Sequence, residues 1–238
     1  DPKAQFQLRI FTPAAEVPLA GHPVVGTFFI LAERGHIKLQ EQPTRIFQQC
    51  KAGTLPVDIH HQEGRVEKVV MTQAEPQFLG ESRDKKLIAS AVGLAEDDVL
   101  PDDLPAQVVS TALPQLIVPA RGLKEMEKIE LDLVTMKKIF RSLETDCFMI
   151  FARETVHSES DVHARMFAPF FGVPEDPATG SASGALGAYL VRHRLITEVA
   201  PTAHIVVEQG YEMGRPSTIH VEVDGEPGSP GEVRVGGQ

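Results

Sequence analysis

The sequence predicts an α+β fold of two pseudo-equivalent halves, each a mostly antiparallel sheet wrapped round a central helix. Three observations predict this fold class. One strand–loop–helix segment occurs twice in the 238 residues, many short strand-like runs are separated by turn residues, and each half contains one helix of apolar or very small residues. A curved sheet of short strands can enclose such a helix and bury it.

The repeated segment covers residues 9–18 and 165–174, which align at a constant offset. Five of the ten positions are identical: Arg9/Arg165, Phe11/Phe167, Pro13/Pro169, Val17/Val173 and Pro18/Pro174. Both copies run on into a glycine-bearing helix start. Further matches follow at a slightly larger offset: Gln49, Pro56, Ile59 and His60 with Gln209, Pro216, Ile219 and His220. Two ordered sets of matches predict two supersecondary units of one design.

The first half begins with a strand-like alternation of apolar residues and continues into a helix over residues 23–34. Apolar side chains surround nearly the whole circumference of this helix, which predicts burial on most sides. Later strands are predicted over residues 45–49, 55–59 and 66–71, followed by a helix over residues 82–92 that Ser82 caps.

The second half contains the same kinds of element. Strands are predicted over residues 108–111, 116–118, 147–151, 162–167, 204–209, 218–223 and 232–235, and helices over residues 123–129 and 131–143. A further helix opens near Thr179 and ends at Arg194, and its first half is rich in glycine, alanine and serine. Glycine costs about 1 kcal/mol relative to alanine in a helix interior. Its repeated use predicts either close enclosure by a sheet or backbone N–H groups left open for a ligand.

The acidic, proline-containing residues 97–105 suggest a linker between the halves. The predicted domains are therefore residues 1–105 and 106–229. Residues 230–238 could return to the first half as a last strand.

Composition excludes several classes of function. A net charge of −10 argues against generic nucleic-acid binding, and no apolar run is long enough to span a bilayer. The two cysteines, Cys50 and Cys147, define neither a metal spacing nor a disulfide framework, and we expect both to be core residues. We expect no metal, and a reducing cytoplasm is the compartment that fits best.

The glycine-rich helix start supplies four candidate binding residues: Asp176, Thr179, Gly180 and Ser181. Free backbone N–H groups at a helix N-terminus bind carboxylate or phosphate. Plain capping of those N–H groups is the alternative, and we favour it for Thr179 taken alone. For Asp176 with the Gly–Ser pair, ligand binding and capping are equally supported by the residues.

The first copy supplies Gly21 and His22 at its own helix start. His22 is either a buried, hydrogen-bonded histidine, which is the more frequent role of a lone histidine, or a general acid/base. Its position beside Gly21 at a helix start adds support to the second role. Glu16 precedes this helix start, and we interpret it as a solvated or loop-anchoring carboxylate.

Three segments resemble one known family. FTPAAEVPLAGHPVVGT (residues 11–27) and MFAPFFGVPEDPATGSASG (residues 166–184) are similar to the two signatures of the PhzF-like phenazine-biosynthesis family, and QGYEMGRPS (residues 209–217) resembles a third segment. The resemblance implies a diaminopimelate-epimerase-like fold with the site in the cleft between the halves.

For function, the resemblance implies a cofactor-free isomerase that moves a proton between carbons of a small carboxylic acid. The best-known member isomerises a dihydro-hydroxyanthranilate in phenazine synthesis. His22, Asp176 and Ser181 match family active-site residues, and Gly21 and Gly180 match the backbone donors for the substrate carboxylate. We expect a homodimer that binds a small anionic carboxylate, with no cofactor, no nucleic acid and no membrane partner.

One departure bears on activity. The family's principal acid/base is a glutamate in a segment that precedes the first signature, and this chain starts after that point. We expect a truncated chain, whose first half would show an open strand edge and exposed apolar residues; a natural short form is the alternative.

Two other functions stay open: a catalytically silent carboxylate-binding or interaction protein, and a racemase or epimerase of the same fold. The racemase would need thiols at the helix starts, where none is present.

Overall fold

The computed structural model describes residues 1–11, 16, 17 and 19–237. The α-helices are α1 (Gly21–Glu33), α2 (Lys85–Val92), α3 (Leu123–Glu127), α4 (Leu133–Leu143) and α5 (Gly180–Arg192). The strands are β1 (Phe6–Gln7), β2 (Ile10–Phe11), β3 (Glu16–Val17), β4 (Thr44–Cys50), β5 (Gly53–Gln62), β6 (Arg65–Thr72), β7 (Gln77–Ser82), β8 (Ala106–Ser110), β9 (Pro114–Pro119), β10 (Phe148–Ala152), β11 (Val162–Ala168), β12 (Val173–Asp176), β13 (Thr202–Gln209), β14 (Ser217–Glu226) and β15 (Ser229–Gly237). The fold class is α+β, as predicted.

A single 13-stranded sheet runs through both predicted halves. Its strand order is β1-β4-β5-β6-β15-β14-β13-β11-β10-β9-β8-β7, with β12 paired to β11, and a separate ribbon pairs β2 with β3. Most pairs are antiparallel; β1–β4, β9–β10 and β11–β13 are parallel. β15 pairs with β14 on one side and with β6 on the other. Because one sheet contains strands from both predicted halves, it does not mark a boundary at residue 105, and the division there is still a proposal.

The glycines of α5 allow the sheet to enclose this helix. Ten of its thirteen residues are buried. A Cβ atom added at Gly184 would lie 3.0 Å from Val235 Cγ2, and one added at Gly187 would lie only 2.6 Å from Val221 Cγ1. The close enclosure predicted from the small residues is thus present, because no larger side chain fits between α5 and strands β14 and β15.

The prediction that the first helix is buried on most sides is confirmed only in part, because Val25, Phe29 and Leu31 are only partly buried against the core. Only Val24, Phe28 and Ala32 of α1 are buried, and Ile30 is 56 % exposed. The reason lies in the sheet: α1 packs against β5, β6 and β15, whereas α5 packs against β8, β9, β13, β14 and β15. On the outer edge of β4, the described residues pair β1 with Gln48 and Gln49, and Gln5 bonds to Phe47.

Helices α2 and α4 form an outer layer over strands β8–β10. Ile88 and Phe140 belong to one buried cluster with Val108, Leu116 and Ile150. The predicted cap of α2 is wrong, because Ser82 ends strand β7. Asp84 caps the helix instead, and its Oδ1 accepts a hydrogen bond from the N–H of Leu87 at 2.9 Å.

The strand registers confirm the repeat but correct its residue matches in the hairpin before each helix. Ile10 pairs with Val17 in the first copy, and the matching Met166 pairs with Asp176 in the second. Glu16 therefore corresponds to Glu175, and Val17 to Asp176 rather than Val173. Extra residues in the second hairpin cause this shift. The matches of Pro13 with Pro169 and of Pro18 with Pro174 involve positions outside the described residues.

The second set of matches is also displaced. Phe6 pairs with Gln48 and Val162 with Val207. Gln48 therefore corresponds to Val207. Cys50, two residues after Gln48, corresponds to Gln209, two residues after Val207. Each of these residues ends its strand opposite the first residue of the next one, Gly53 or Ser217. The loop of residues 210–216 is longer than the turn at residues 51–52, so Gly53 corresponds to Ser217. The matches of Pro56, Ile59 and His60 with Pro216, Ile219 and His220 are therefore wrong.

Candidate functional site

The two glycine-bearing helix starts touch each other. Gly21 is the first residue of α1 and Gly180 the first residue of α5. A Cβ atom added at Gly21 would lie 3.3 Å from the Cα of Gly180, and one added at Gly180 would lie 3.6 Å from the Cα of Gly21. The two helices are thus in direct backbone contact at their first residues. It brings two positive helix-dipole ends to one place.

Neither helix start is capped by the residue before it. Ala20 offers no side-chain acceptor, and the side chain of Thr179 makes no capping hydrogen bond. The capping role favoured for Thr179 is therefore wrong, because its hydroxyl donates to the carboxylate of Asp176 instead. Uncapped N–H groups of a first helical turn are suited to binding an anion.

A buried glutamine holds the loop that leads into α5. Gln209 Oε1 accepts a hydrogen bond from the N–H of Thr179 at 3.2 Å. Its Nε2 donates to the carbonyl of Asp176 at 2.5 Å and to Thr179 Oγ1 at 3.1 Å. Ser217 Oγ donates to the carbonyl of Pro177 at 2.7 Å. Gln209 and Ser217, both in the third family segment, therefore hold the loop that leads into α5. The sequence did not predict this role for Gln209.

The amide side chain at position 209 is the sequence feature that could have indicated its role in holding the loop before α5. Gln209 is fully buried on a strand whose other inward residues, Ala203, Ile205 and Val207, are apolar. A buried amide must find hydrogen-bond partners, and here all of them lie in the loop before α5.

An arginine fixes the strand on which Asp176 lies. Arg165 donates from Nε and Nη2 to the two carboxylate oxygens of Glu175, at 2.8 and 2.9 Å, and from Nη1 to the carbonyl of Met126 at 2.6 Å. Such a fork restrains a carboxylate in two directions. Glu175 directly precedes Asp176 in β12, so the Arg165–Glu175 pair fixes the position of the end of β12.

The first copy repeats this device on the surface. Arg9 donates to both carboxylate oxygens of Glu16 at 3.0 Å. Hydrogen bonds from Arg9 and then Lys51 lower the pKa of Glu16 to about 2. Glu16 is therefore a loop-anchoring carboxylate, in agreement with its predicted role.

The remaining candidates occupy equivalent places at the two helix starts. His22 is the second residue of α1 and its side chain is exposed; Ser181 is the second residue of α5 and is half-buried. The structure thus gathers Gly21, His22, Gly180 and Ser181 around one backbone contact. Asp176 ends β12, Thr179 directly precedes α5, and the two side chains are hydrogen-bonded to each other.

A buried charge cluster lies on β11, β13 and the loop that follows β13, and the sequence did not predict it. His163 is 1 % exposed, and its ring nitrogens lie 2.7 Å from Glu208 Oε1 and 2.9 Å from Glu212 Oε1. Burial alone would lower the pKa of His163, but the hydrogen bonds with Glu212 and Glu208 outweigh burial and raise it. Glu208 also accepts hydrogen bonds from the N–H groups of Val156 and His157.

The two cysteines lie at the end of β4 and directly before β10. Cys147 is buried, and burial raises the pKa of its thiol to about 12, so it stays protonated at neutral pH. Cys50 is half-buried at the end of β4, and its thiol donates to the carbonyl of Gly53. The described residues contain no group of three or more His, Cys, Asp or Glu side chains placed to bind a metal. None of the helices in that part of the chain has the length and apolarity needed to cross a membrane.

Comparison with known sequences places the chain in one family. A family model described as "Phenazine biosynthesis-like protein" matches residues 1–238. The "Uncharacterized isomerase YfhB" of Bacillus subtilis is 35 % identical over 93 % of this chain and 73 % of its own length. The trans-2,3-dihydro-3-hydroxyanthranilate isomerase of Pseudomonas aeruginosa is 31 % identical over 97 % of this chain and 75 % of its own length.

Solved structures give the same answer. A Bacillus anthracis phenazine biosynthesis protein of the PhzF family superposes with a TM-score of 0.82 at 30 % identity, over 98 % of this chain and 77 % of that one. A hydroxyproline epimerase from Agrobacterium vitis shares the fold at a TM-score of 0.66 and 12 % identity, over 100 % of this chain and 69 % of that one. The chain therefore belongs to the PhzF-like phenazine-biosynthesis family of isomerases.

Proposed function

We propose that the protein is a cofactor-independent isomerase that moves a proton on a small carboxylic acid, an aromatic or cyclic acid being the first choice. Its site lies in the cleft between the proposed halves, residues 1–105 and 106–229. The contact between the uncapped helix starts at Gly21 and Gly180 is the observation that carries this proposal. Two dipole ends and their free N–H groups favour one anion between them.

In this proposal the substrate carboxylate binds at the backbone of Gly21, Gly180 and Ser181, with Thr179 supporting the loop beside it. His22 and Asp176 act on the moving proton next to the anchored carboxylate. The net charge of −10 does not prevent anion binding, because N–H donors and dipole ends act at contact distance. We further propose a homodimer that works in the cytoplasm.

The reaction can be tested with the substrate after which the Pseudomonas aeruginosa relative is named. The protein is incubated with trans-2,3-dihydro-3-hydroxyanthranilate in D₂O, and the ring protons are followed by NMR. Consumption of the compound with deuterium entering at a ring carbon supports the isomerase. If the compound binds and no carbon-bound proton exchanges, the carboxylate-binding alternative replaces the enzyme.

Binding can be tested at Ser181 by removing the backbone donor and the hydroxyl separately. Ser181→Pro removes the N–H of the second helical residue, where proline is tolerated because that N–H has no partner within the helix. We expect calorimetry with 3-hydroxyanthranilate to show affinity reduced about tenfold or more, as for a lost hydrogen bond to a charged group.

Ser181→Ala is the matched control, because it keeps the N–H and loses only the hydroxyl. We expect it to bind within a few-fold of the wild type. Equal losses in the two variants would assign binding to the side chain, and unchanged affinity in Ser181→Pro would move the carboxylate site elsewhere. Thermal melts check that both variants are folded.

A further inference from the structure

A groove in the second half is lined by aromatic rings and by charges of both signs. It lies between the last turns of α4 and the turn that joins β11 to β12, and its volume is about 340 Å³. This volume is at the lower end of the range for sites that bind small molecules. The residues that line the groove include Lys137, Phe140, Arg141, Glu144, Asp146 and Phe170.

Two phenylalanines form the apolar part of the groove. The rings of Phe140 and Phe170 meet edge to face, with 5.8 Å between their centroids. Phe140 is buried in the cluster beneath α4, whereas Phe170 is 41 % exposed. An aromatic ring placed in the groove would cover the exposed part of Phe170 and gain a further ring contact. The apolar part of the groove therefore favours a ligand with one aromatic ring.

The cationic part of the groove lies on α4. Lys137 and Arg141 are four residues apart, so their side chains are neighbours on the helix surface and their charges repel each other. The Lys137 ammonium lies 5.8 Å from the centroid of the Phe170 ring. Among the residues that the structure describes, no carboxylate forms an ion pair with Lys137 or Arg141. A carboxylate bound beside both cations would relieve their repulsion.

Glu144 and Asp146 supply the acidic part of the groove. They flank Thr145, which is buried and donates from Oγ1 to the carbonyl of Pro114 at 2.9 Å. This hydrogen bond fixes the backbone between the two acids. Within the described part of the chain, neither carboxylate accepts a hydrogen bond or forms an ion pair. Both are therefore available to an ammonium group.

We propose that this groove is a second binding site, separate from the helix starts, for a small aromatic amino acid. The ring lies against the two phenylalanines, the carboxylate beside the two cations of α4, and the ammonium group beside Glu144 and Asp146. A free amino acid carries one charge of each sign close together. It therefore matches a groove whose own opposite charges are not paired with each other.

The position of Phe170 links this groove to the candidate active site. Phe170 lies in the turn between β11 and β12, and β12 ends at Asp176. A ligand that packs on Phe170 therefore restrains the hairpin that leads to Asp176. Binding in the groove does not require the proposed reaction, so the two proposals can be tested separately.

Binding can be tested with L-phenylalanine and ¹⁵N-labelled protein by NMR. We expect millimolar phenylalanine to shift the amide signals of α4 and of residues 169–173 more than those of the two helix starts. 3-Phenylpropionate lacks the amino group of phenylalanine, and 2-phenylethylamine lacks its carboxylate. We expect each of these compounds to bind about threefold more weakly or worse, as for a lost ion pair near the surface.

Two matched pairs of variants locate the site. Lys137→Gln should weaken phenylalanine binding about threefold to fivefold, whereas Lys138→Gln, outside the groove, should leave it unchanged. Phe170→Ala should weaken binding about tenfold, because the aromatic contact is lost. Phe171→Ala, which removes a 59 % exposed ring from the same turn, should leave binding unchanged. Thermal melts check that the variants are folded.

Several outcomes would overturn the proposal. They are the absence of shifts with phenylalanine, equal losses within either pair of variants, and 3-phenylpropionate binding as tightly as phenylalanine. Ser181→Pro separates the groove from the helix starts, because it should bind phenylalanine as the wild type does. If this variant loses phenylalanine binding, the amino acid occupies the helix starts and the groove proposal is wrong. If phenylalanine binds in the groove and no carboxylic acid binds at the helix starts, the proposed function fails while the groove site stands.

Discussion

At the residue scale, single glycines decide how closely α5 can approach the sheet. Gly187 lies where a Cβ atom would be 2.6 Å from Val221 Cγ1 and 3.2 Å from Val223 Cγ2. Gly26, in the interior of α1, has no heavy atom of the described residues, its own helix backbone aside, within 4 Å of the same hypothetical atom. A Cβ atom at position 187 therefore collides with the sheet, whereas one at position 26 has open space.

We predict opposite effects for alanine at these two positions. Gly187→Ala should lower the free energy of unfolding by about 1–3 kcal/mol, because overpacking outweighs the gain in helix propensity. Gly26→Ala should raise it by about 0.5–1 kcal/mol, because only the propensity changes. Urea unfolding measures both, and a stabilised Gly187→Ala protein would show that the sheet relaxes away from α5.

At the element scale, the two hairpins that precede the helices use one device at different burial. Arg165 is 9 % exposed at its side chain and ties β11, β12 and the carbonyl of Met126 together. Arg9 is 62 % exposed and ties only the short β2–β3 ribbon, beside Lys51. An arginine that binds a carboxylate away from water matters more for the fold than one on the surface.

Replacing each arginine by glutamine should therefore lower the folding free energy by different amounts in the two hairpins. Arg165→Gln leaves Glu175 without its fork and is expected to cost about 2–3 kcal/mol of folding free energy. Arg9→Gln, the matched variant, should change the unfolding midpoint little, because water replaces the lost contact. Similar losses from the two variants would mean that hairpin burial is not what makes the Arg165 pair important.

At the scale of the whole molecule, stability is linked to pH through the buried His163. Its pKa is raised above the ordinary 6.5, so the folded state holds a proton that the unfolded state loses first. This contribution is complete below pH 6.5 and disappears as pH rises through the folded-state pKa. The lowered pKa values of Glu208 and Glu212 act at the other end, where stability is lost as pH falls below about 4.5.

We predict that the free energy of unfolding falls by about 1.4 kcal/mol for each pH unit between 6.5 and the folded-state pKa of His163. His163→Gln should flatten this decline, while His204→Gln, at an exposed position, should keep it. The difference between variant and wild type is the quantity to compare. Burial lowers the pKa of His60, His193 and His220, and these groups titrate with the opposite sign. Parallel wild-type and His163→Gln curves would contradict the prediction.

Local patterns were sufficient for much of this protein. The α+β class, most strand positions, the repeat and both helix starts follow from side-chain alternation, turn residues and the glycine-rich stretches, all of which act between near neighbours in the chain. The small residues of α5 even indicated a close neighbour, since a run of glycines in a helix needs a reason beyond the helix itself.

Tertiary structure decided which elements and residues meet. The exposure of α1 depends on the strands that lie beside it, so an apolar circumference alone could not settle its burial. The residue matches of the repeat depended on strand register, by which Glu175 is the counterpart of Glu16 and Gln209 is the counterpart of Cys50. The contacts of Thr179 with Gln209 and of His163 with Glu208 join residues 30 or more apart in the chain. Pairings over such separations are set by packing of the whole sheet, and no local pattern records them.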